Sequence, residues 1–163
     1  MTTALVLHNI RSVYNVGSIF RTADAAGVSK IFLTGYTPTP IDRFGRARPD
    51  LSKVALGAEK HIAWEYLKNP YAAMVKLRNE GFFIIALEQD SRAISLFDLR
   101  GRTEARQDLA MDKMALVLGN EVRGVSKALL AKCGRIVEIP MRGKKESLNV
   151  SVAAGVALFT LLQ

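Results

Sequence analysis

Short apolar runs of β-favouring residues alternate along the chain with segments whose apolar positions recur at helical spacing. Ala4 to His8 reads as a strand, and a helix follows over Val16 to Ala26, with Asn15 placed to cap its start and Gly27 to end it. Lys30 to Thr34 (KIFLT) is a second strand. Gly35 to Lys53 is rich in Gly, Pro, Arg and Asp, carries no period and reads as a mobile loop. Pro70 to Glu80 returns to helical spacing through Ala73, Met74 and Leu77, with Pro70 in its first turn and Gly81 closing it. Phe82 to Leu87 is apolar continuously rather than alternately, as a central parallel strand covered on both faces must be.

The second half repeats the alternation. Ser91 to Lys113 is more polar, with Arg92, Arg100, Arg102 and Arg106 along it, and reads as mostly loop with one short ordered piece. Met114 to Leu118 is a buried-type strand, Val125 to Lys132 a helix, Ile136 to Ile139 a last strand, and Asn149 to Leu162 a C-terminal helix. In that helix Val150, Ala153, Ala154, Ala157, Leu158 and Leu161 share one broad face, fit for a core or for a dimer seam. No internal repeat or low-complexity tract breaks the pattern. The fold class is therefore α/β, a single domain with a parallel sheet flanked by helices.

Composition narrows the picture. At 163 residues and 49% hydrophobic, the chain suffices for one core and is short for two. Lys and Arg number 23 against 15 Asp and Glu, a net charge of +8 that favours a polyanionic partner, nucleic acid first. Cys133 stands alone, so no disulfide framework forms within the chain and a reducing cytoplasm fits. His8 and His61 have no metal-ligand spacing, and no metal is expected. The start, MTTALVLHNIRSVYN, lacks the basic leader and cleavage site of an export signal, and charge interrupts every apolar run before it could span a bilayer, so a soluble protein is expected.

Open α/β sheets bind ligands beyond the carboxyl ends of their strands, which directs attention to the turns. Three of them are unusual. Asn15-Val16-Gly17-Ser18-Ile19-Phe20-Arg21 follows the first strand, Gly119-Asn120-Glu121-Val122-Arg123-Gly124 follows MALVL, and Pro140 to Glu146 leads into Ser147-Leu148-Asn149 after the last strand. Gly119 to Ser126 has the glycine and serine spacing of a P-loop, but Val125 stands where that motif needs its lysine. No G-x-G-x-x-G follows a strand, which removes the dinucleotide fingerprint. Arg21 on its own could pair with Asp24.

Taken together, NVGSIFRTADAAGV, LVLGNEVRGVS and IPMRGKKESLNVSVAAGVALF resemble, in order and across nearly the whole chain, the three motifs of the SpoU family, the TrmH-like branch of the SPOUT RNA methyltransferases. The resemblance implies a homodimeric enzyme whose C-terminal part is threaded as a deep trefoil knot, a topology that base rates alone would argue against. It implies S-adenosyl-L-methionine held in the knot by Leu87, Gly119, Ile139, Met141 and Leu148, and a catalytic group of Asn15, Arg21, Glu121, Ser147 and Asn149 where two subunits meet. The reaction implied is methylation of a ribose 2′-hydroxyl in RNA. Arg21 is then either the base for the hydroxyl proton or a charged clamp on the adjacent phosphate, with Glu121 or water taking the proton. A guanidinium lacks a free acceptor, which weighs against the first.

Arg43, Arg46, Arg48, Arg142, Lys144 and Lys145 are the candidate RNA contacts, with Lys53 beside them. No appended RNA-binding domain is recognisable, and minimal members of the family include modifiers of transfer RNA, so tRNA is favoured over rRNA. Two other readings use the same fold: methylation of a base nitrogen, and RNA binding without catalysis. The set NVGSIFR, GNEVRG and SLNVS favours ribose methylation over both.

Overall fold

The computed structural model describes residues 1–100 and 112–162. The elements are β1 (Thr2–His8), α1 (Val13–Ala25), β2 (Lys30–Thr34), α2 (Pro49–Ala55), α3 (Ala58–His61), β3 (Ala63–Leu67), α4 (Pro70–Asn79), β4 (Phe83–Leu87), β5 (Ile94–Ser95), β6 (Lys113–Leu118), α5 (Lys127–Leu130), β7 (Arg135–Glu138) and α6 (Val150–Leu161). A 3-10 turn covers Leu96–Arg100. The strands form one parallel sheet in the order β3-β2-β1-β6-β4-β7-β5.

Continuous apolar strands follow from burial of both sheet faces. Leu5 and Leu7 of β1 pack with Val16, Ile19 and Phe20 of α1, Leu51 of α2 and Ala154, Ala157 and Leu158 of α6. Ala4 and Val6 point the other way, joining Met74 and Leu77 of α4 and Leu129 and Leu130 of α5. The period of two along β1 thus divides the core into two layers. The face shared by Ala154, Ala157 and Leu158 in α6 is core, while Val152 and Phe159 of the same helix remain exposed.

Several boundaries differ from the sequence expectation. Ser12, not Asn15, caps α1: its side chain accepts from the Asn15 amide, 3.2 Å away, which leaves the Asn15 side chain free for another partner. The helix then ends as expected, with Gly27 in the left-handed region just beyond Ala26. The loop expected over Gly35 to Lys53 gives way to α2 at Pro49, a proline at the first helical position. That helix crosses α1 closely, since a Cβ on Gly17 would lie 2.8 Å from the Leu51 carbonyl oxygen. The edge strand β3 (AWEYL) is an addition. Its Glu65 accepts from Lys30 and Lys76, both at 2.7 Å, so one carboxylate ties three elements together. The expected helix over Val125 to Lys132 is confined to Lys127–Leu130. Of the polar stretch after Ser91, β5 and the 3-10 turn are ordered, and Arg102 and Arg106 lie outside the described residues.

This topology positions the site. The chain runs β1 to β3 toward one edge, then returns to place β4 on the far side of a gap that β6 later fills. The carboxyl ends of β4, β6 and β7 therefore lie side by side.

Candidate active site

The turn after β6 is built around Asn120, which is buried. Its Oδ1 accepts from the Val122 and Arg123 amides at 3.0 and 2.8 Å, folding the GNEVRG segment back on itself. Its Nδ2 donates to the Asn9 carbonyl at 2.9 Å and the Tyr36 hydroxyl at 3.0 Å, fastening that turn to the ends of β1 and β2. Both glycines of the motif are required by contact. A Cβ on Gly119 would fall 2.4 Å from the Gly124 carbonyl carbon, and one on Gly124 would fall 2.1 Å from Glu88 Oε2. Glu88, just beyond β4, uses that oxygen to accept from the Val125 amide at 2.7 Å. Asn120 and Glu88 are structural residues of the site that sequence reasoning passed over. The signal for Asn120 was its place between Gly119 and Glu121, whereas Glu88 carried none.

Glu121 reaches from this turn to the start of α1. It accepts from the Arg11 amide at 3.0 Å, the Ser12 amide at 3.1 Å and Asn15 Nδ2 at 3.1 Å. Unpaired amides at a helix start favour an anion there. Burial works against the charge on Glu121, but the amides of Arg11, Glu121 and Ser12 and the Asn15 side chain outweigh it and hold the carboxyl below its usual range. Asn15 in turn accepts from Asn149 Nδ2 at 3.2 Å. Asn149 is the cap of α6, its Oδ1 accepting from the Ser151 amide at 2.9 Å. One chain of hydrogen bonds, Glu121 to Asn15 to Asn149, thus joins the three motifs.

Beside this chain is an open cavity of about 280 Å³. Leu87, Gly119, Ile139, Met141 and Leu148, the five residues expected to hold a cofactor, all line it, as does Ser147. Its acidic lining is Glu88, Glu121, Glu138 and Glu146, with no lysine or arginine among the described residues. The Gln89 side chain donates to the Glu146 carbonyl, tying the loop after β4 to the loop after β7.

Arg21 is not brought to this cavity. It lies six residues beyond Asn15 on α1, about 9 Å along the axis and on another face. It is exposed and forms no ion pair with Asp24 among the described residues. The basic candidates also divide. Arg46 pairs with Asp42 and Arg48 with Asp50, each at 2.9 Å, whereas Arg43, Arg142, Lys144 and Lys145 are exposed without a carboxylate partner among the described residues. Among the described residues no group of His, Cys, Asp or Glu could hold a metal, and no helix is long and apolar enough to cross a membrane.

Comparison with known proteins gives this arrangement a lineage. The chain is 33% identical over 157 residues to an uncharacterized tRNA/rRNA methyltransferase of Archaeoglobus fulgidus, covering 96% of this chain and 62% of the relative. It is 31% identical over 160 residues to the 23S rRNA (guanosine-2'-O-)-methyltransferase RlmB of Pseudomonas aeruginosa, covering 98% and 58%. Among solved structures it is similar to the AdoMet-bound rRNA methyltransferase of Sinorhizobium meliloti, with TM-score 0.82, 26% identity and coverage of 98% of this chain and 55% of that one. It is also similar to a structure described by the 2-OH methylation of C/U34 on tRNA, with TM-score 0.74, 27% identity and coverage of 98% and 93%. The chain thus spans about three fifths of the length of the curated relatives it matches. With a family model matching residues 2–159 and three motifs joined by one chain of hydrogen bonds, the chain belongs to the SpoU rRNA Methylase family.

Proposed function

We propose that the chain transfers the methyl group of S-adenosyl-L-methionine to a ribose 2′-hydroxyl of RNA. The observation that carries this reading is the hydrogen-bonded line that starts at Glu121 in the cavity lining and runs through Asn15 to Asn149. Asn149 stands between the lining residues Leu148 and Val150 but, like Asn15, does not itself line the cavity. The cavity suits the donor chemically. Leu87, Ile139, Met141 and Leu148 supply apolar walls for a flat heterocycle, and a lining that is acidic and has no cation among the described residues suits a sulfonium. The bound donor supplies an electrophilic methyl group. The residues of the chain then have to orient the hydroxyl in line with it and let its proton leave.

Glu121 is a poor base for that proton, because the amides of Arg11 and Ser12 and the Asn15 side chain already occupy its oxygens and stabilise its ionised form. Its role is to fix Asn15, and through it Asn149, as neutral groups that align the ribose. Ser147, on the same rim, adds a hydroxyl. Arg21 serves as a charged clamp on the phosphate next to the target ribose, and the proton goes to water. What supports this over a proton-accepting role is its exposure without a carboxylate partner among the described residues, which leaves its charge available.

Because Arg21 is remote from the cavity of its own chain, the reading includes a homodimer in which Arg21 of one subunit serves the cavity of the other. Exposed Tyr14 on α1 and exposed Val152 and Phe159 on α6 support an apolar seam between these helices and a second copy. The C-terminal segment is read as knotted, supported by β7 lying between β4 and β5 and followed by α6. Residues 1–163 are read as one methyltransferase domain in the cytoplasm. Transfer RNA is the preferred substrate, supported by the likeness to the structure concerned with tRNA that this chain nearly covers. Arg142, Lys144 and Lys145 on the exposed loop after β7 would contact its phosphates.

Incubating the purified protein with unmodified tRNA and methyl-labelled donor tests the proposal. Label recovered on a ribose supports it. A folded protein without affinity for the donor or its demethylated product, measured by calorimetry, overturns it.

A further inference from the structure

The loop between β2 and α2 has an ordered tip. Ile41 and Ala47 form an antiparallel bridge, and the Asp42 amide donates to the Arg46 carbonyl at 2.8 Å. Asp42 Oδ1 accepts from the Phe44 and Arg46 amides at 2.8 and 3.0 Å. These bonds close a small turn that projects the Phe44 ring into solvent, 66% exposed. An exposed aromatic on a fixed turn calls for explanation, since burying it against its own fold would stabilise the chain.

Two guanidiniums attend the ring, Arg43 at 4.7 Å and Arg46 at 5.0 Å from its centroid. They are not equivalent. Arg46 is fixed to Asp42 through Nε and Nη2, both at 2.9 Å, while Arg43 has no carboxylate partner among the described residues. One contact on the ring is therefore anchored and the other replaceable. The base of the loop is joined to the active site: the Tyr36 amide donates to Asn9 Oδ1 at 3.2 Å, and the Tyr36 hydroxyl accepts from Asn120 Nδ2 at 3.0 Å. The turn thus rises from the sheet edge where the three motifs meet.

We propose that Phe44 is a stacking platform for an unpaired base of the RNA substrate, with Arg43 leaving the ring to take the neighbouring phosphate. Stacking of a base on an aromatic ring is stronger than an exposed cation–π contact, so the exchange is favourable. Arg46 stays beside the ring and holds the turn. The surface reads unpaired nucleotides near the target and not duplex, because a paired base already uses both faces within its helix. This inference rests on the RNA substrate proposed above and adds to it a preference for single-stranded or looped RNA.

Binding of a fluorophore-labelled, unstructured oligoribonucleotide, followed by anisotropy, tests it against a blunt RNA duplex of the same length. Phe44→Ala should weaken the single-strand complex by about 5- to 100-fold. It should leave the duplex complex and the calorimetric affinity for S-adenosylmethionine unchanged, and Phe44→Trp should restore single-strand binding. Arg43→Gln should lower the salt slope of single-strand binding by about 0.7, the share of one phosphate. If Phe44→Ala binds both RNAs as the wild type does, or loses both equally, the stacking platform is overturned while the methyltransferase reading stands. If the wild type binds S-adenosylmethionine but neither RNA, the RNA substrate falls and the platform with it.

Discussion

Glu88, Glu121, Glu138 and Glu146 line the cavity, and no cationic side chain among the described residues joins them; the loop after β2 instead carries Arg43, Arg46 and Arg48 around an exposed ring. Among the described residues, a chain with net charge +8 thus keeps its positive charge out of its own pocket. The difference teaches that a net charge is an average over surfaces with separate tasks. The pocket is suited to a cationic small molecule and the loop to a polyanion, and their place on one sheet edge would let both be held at once. The two regions also differ in construction. The pocket rim is braced by the hydrogen bonds of Asn120, Glu121 and Glu88, whereas the loop leaves a ring and a guanidinium with contacts that can be exchanged.

The largest effect should come from the residue that belongs to neither region of its own chain. Arg21→Ala is expected to lower turnover at least about 100- to 1000-fold, the scale for a lost charge-stabilising donor. Cofactor affinity should remain nearly intact, since Arg21 does not line the cavity. Measured kcat and a calorimetric Kd check both halves, and an active variant would remove Arg21 from the mechanism. Mixing this variant with Asn149→Ala should recover activity if the subunits exchange, because one of the two cavities in the mixed dimer then has both residues intact.

Next in size is the pocket rim. Gly119→Ala puts a Cβ 2.4 Å from the Gly124 carbonyl carbon, a backbone atom that cannot move aside cheaply. A stability loss of about 1–3 kcal/mol in urea unfolding is expected, with cofactor affinity falling in parallel. The corresponding change at Gly45, where a Cβ would meet nothing but whose φ is +79°, should cost less, from backbone strain alone. Equal losses at the two positions would erase the contrast between a packed rim and an open loop.

How much of this was legible in the residues depends on the range of the interaction. The strands were legible because burial on both faces writes itself into continuous runs such as Phe83–Leu87 and Lys113–Leu118. That Leu87, Gly119, Ile139, Met141 and Leu148 share one cavity was legible only through likeness of motifs. Their convergence depends on β6 entering between β1 and β4, which no local pattern encodes. The start of α1 departs from the sequence pattern because Ser12 and Asn15 are both good caps, and Glu121, more than a hundred residues away, engages the Asn15 side chain. β3 was hidden by Glu65, a charge in a strand, whose neutralising lysines come from β2 and α4. The arginines of the loop are plain in the sequence, but the pairing of Arg46 with Asp42 and of Arg48 with Asp50 is a matter of geometry.

A smaller, pH-dependent effect separates the two regions again. Glu121 has a carboxyl held below its unfolded value, so its contribution to stability is complete at neutral pH, above the unfolded pKa, and is lost as pH falls through the folded one. Glu121→Gln should therefore be less stable than the wild type at neutral pH, and the gap should narrow in acid below the ordinary glutamate range, where the wild-type carboxyl protonates. Thermal melts across that range check the sign. A gap that widens on acidification would mean that Glu121 is not the anion at the start of α1.

The smallest effects lie in the basic surface, and their ranking is informative. Lys144 and Lys145 have no carboxylate partner among the described residues, so each glutamine substitution should reduce the salt slope of RNA binding by up to about 0.7. Arg48 is paired with Asp50 at 2.9 Å, and Asp50 also accepts from the Leu51 amide at the start of α2. To meet a phosphate Arg48 would have to leave that carboxylate, and the phosphate would have to approach a remaining negative charge. Arg48→Gln should accordingly change the slope by less than Lys144→Gln does. If the two slopes fall equally, the ion pair opens on binding and Arg48 joins the RNA surface, extending the basic region from the tip of the loop down to α2.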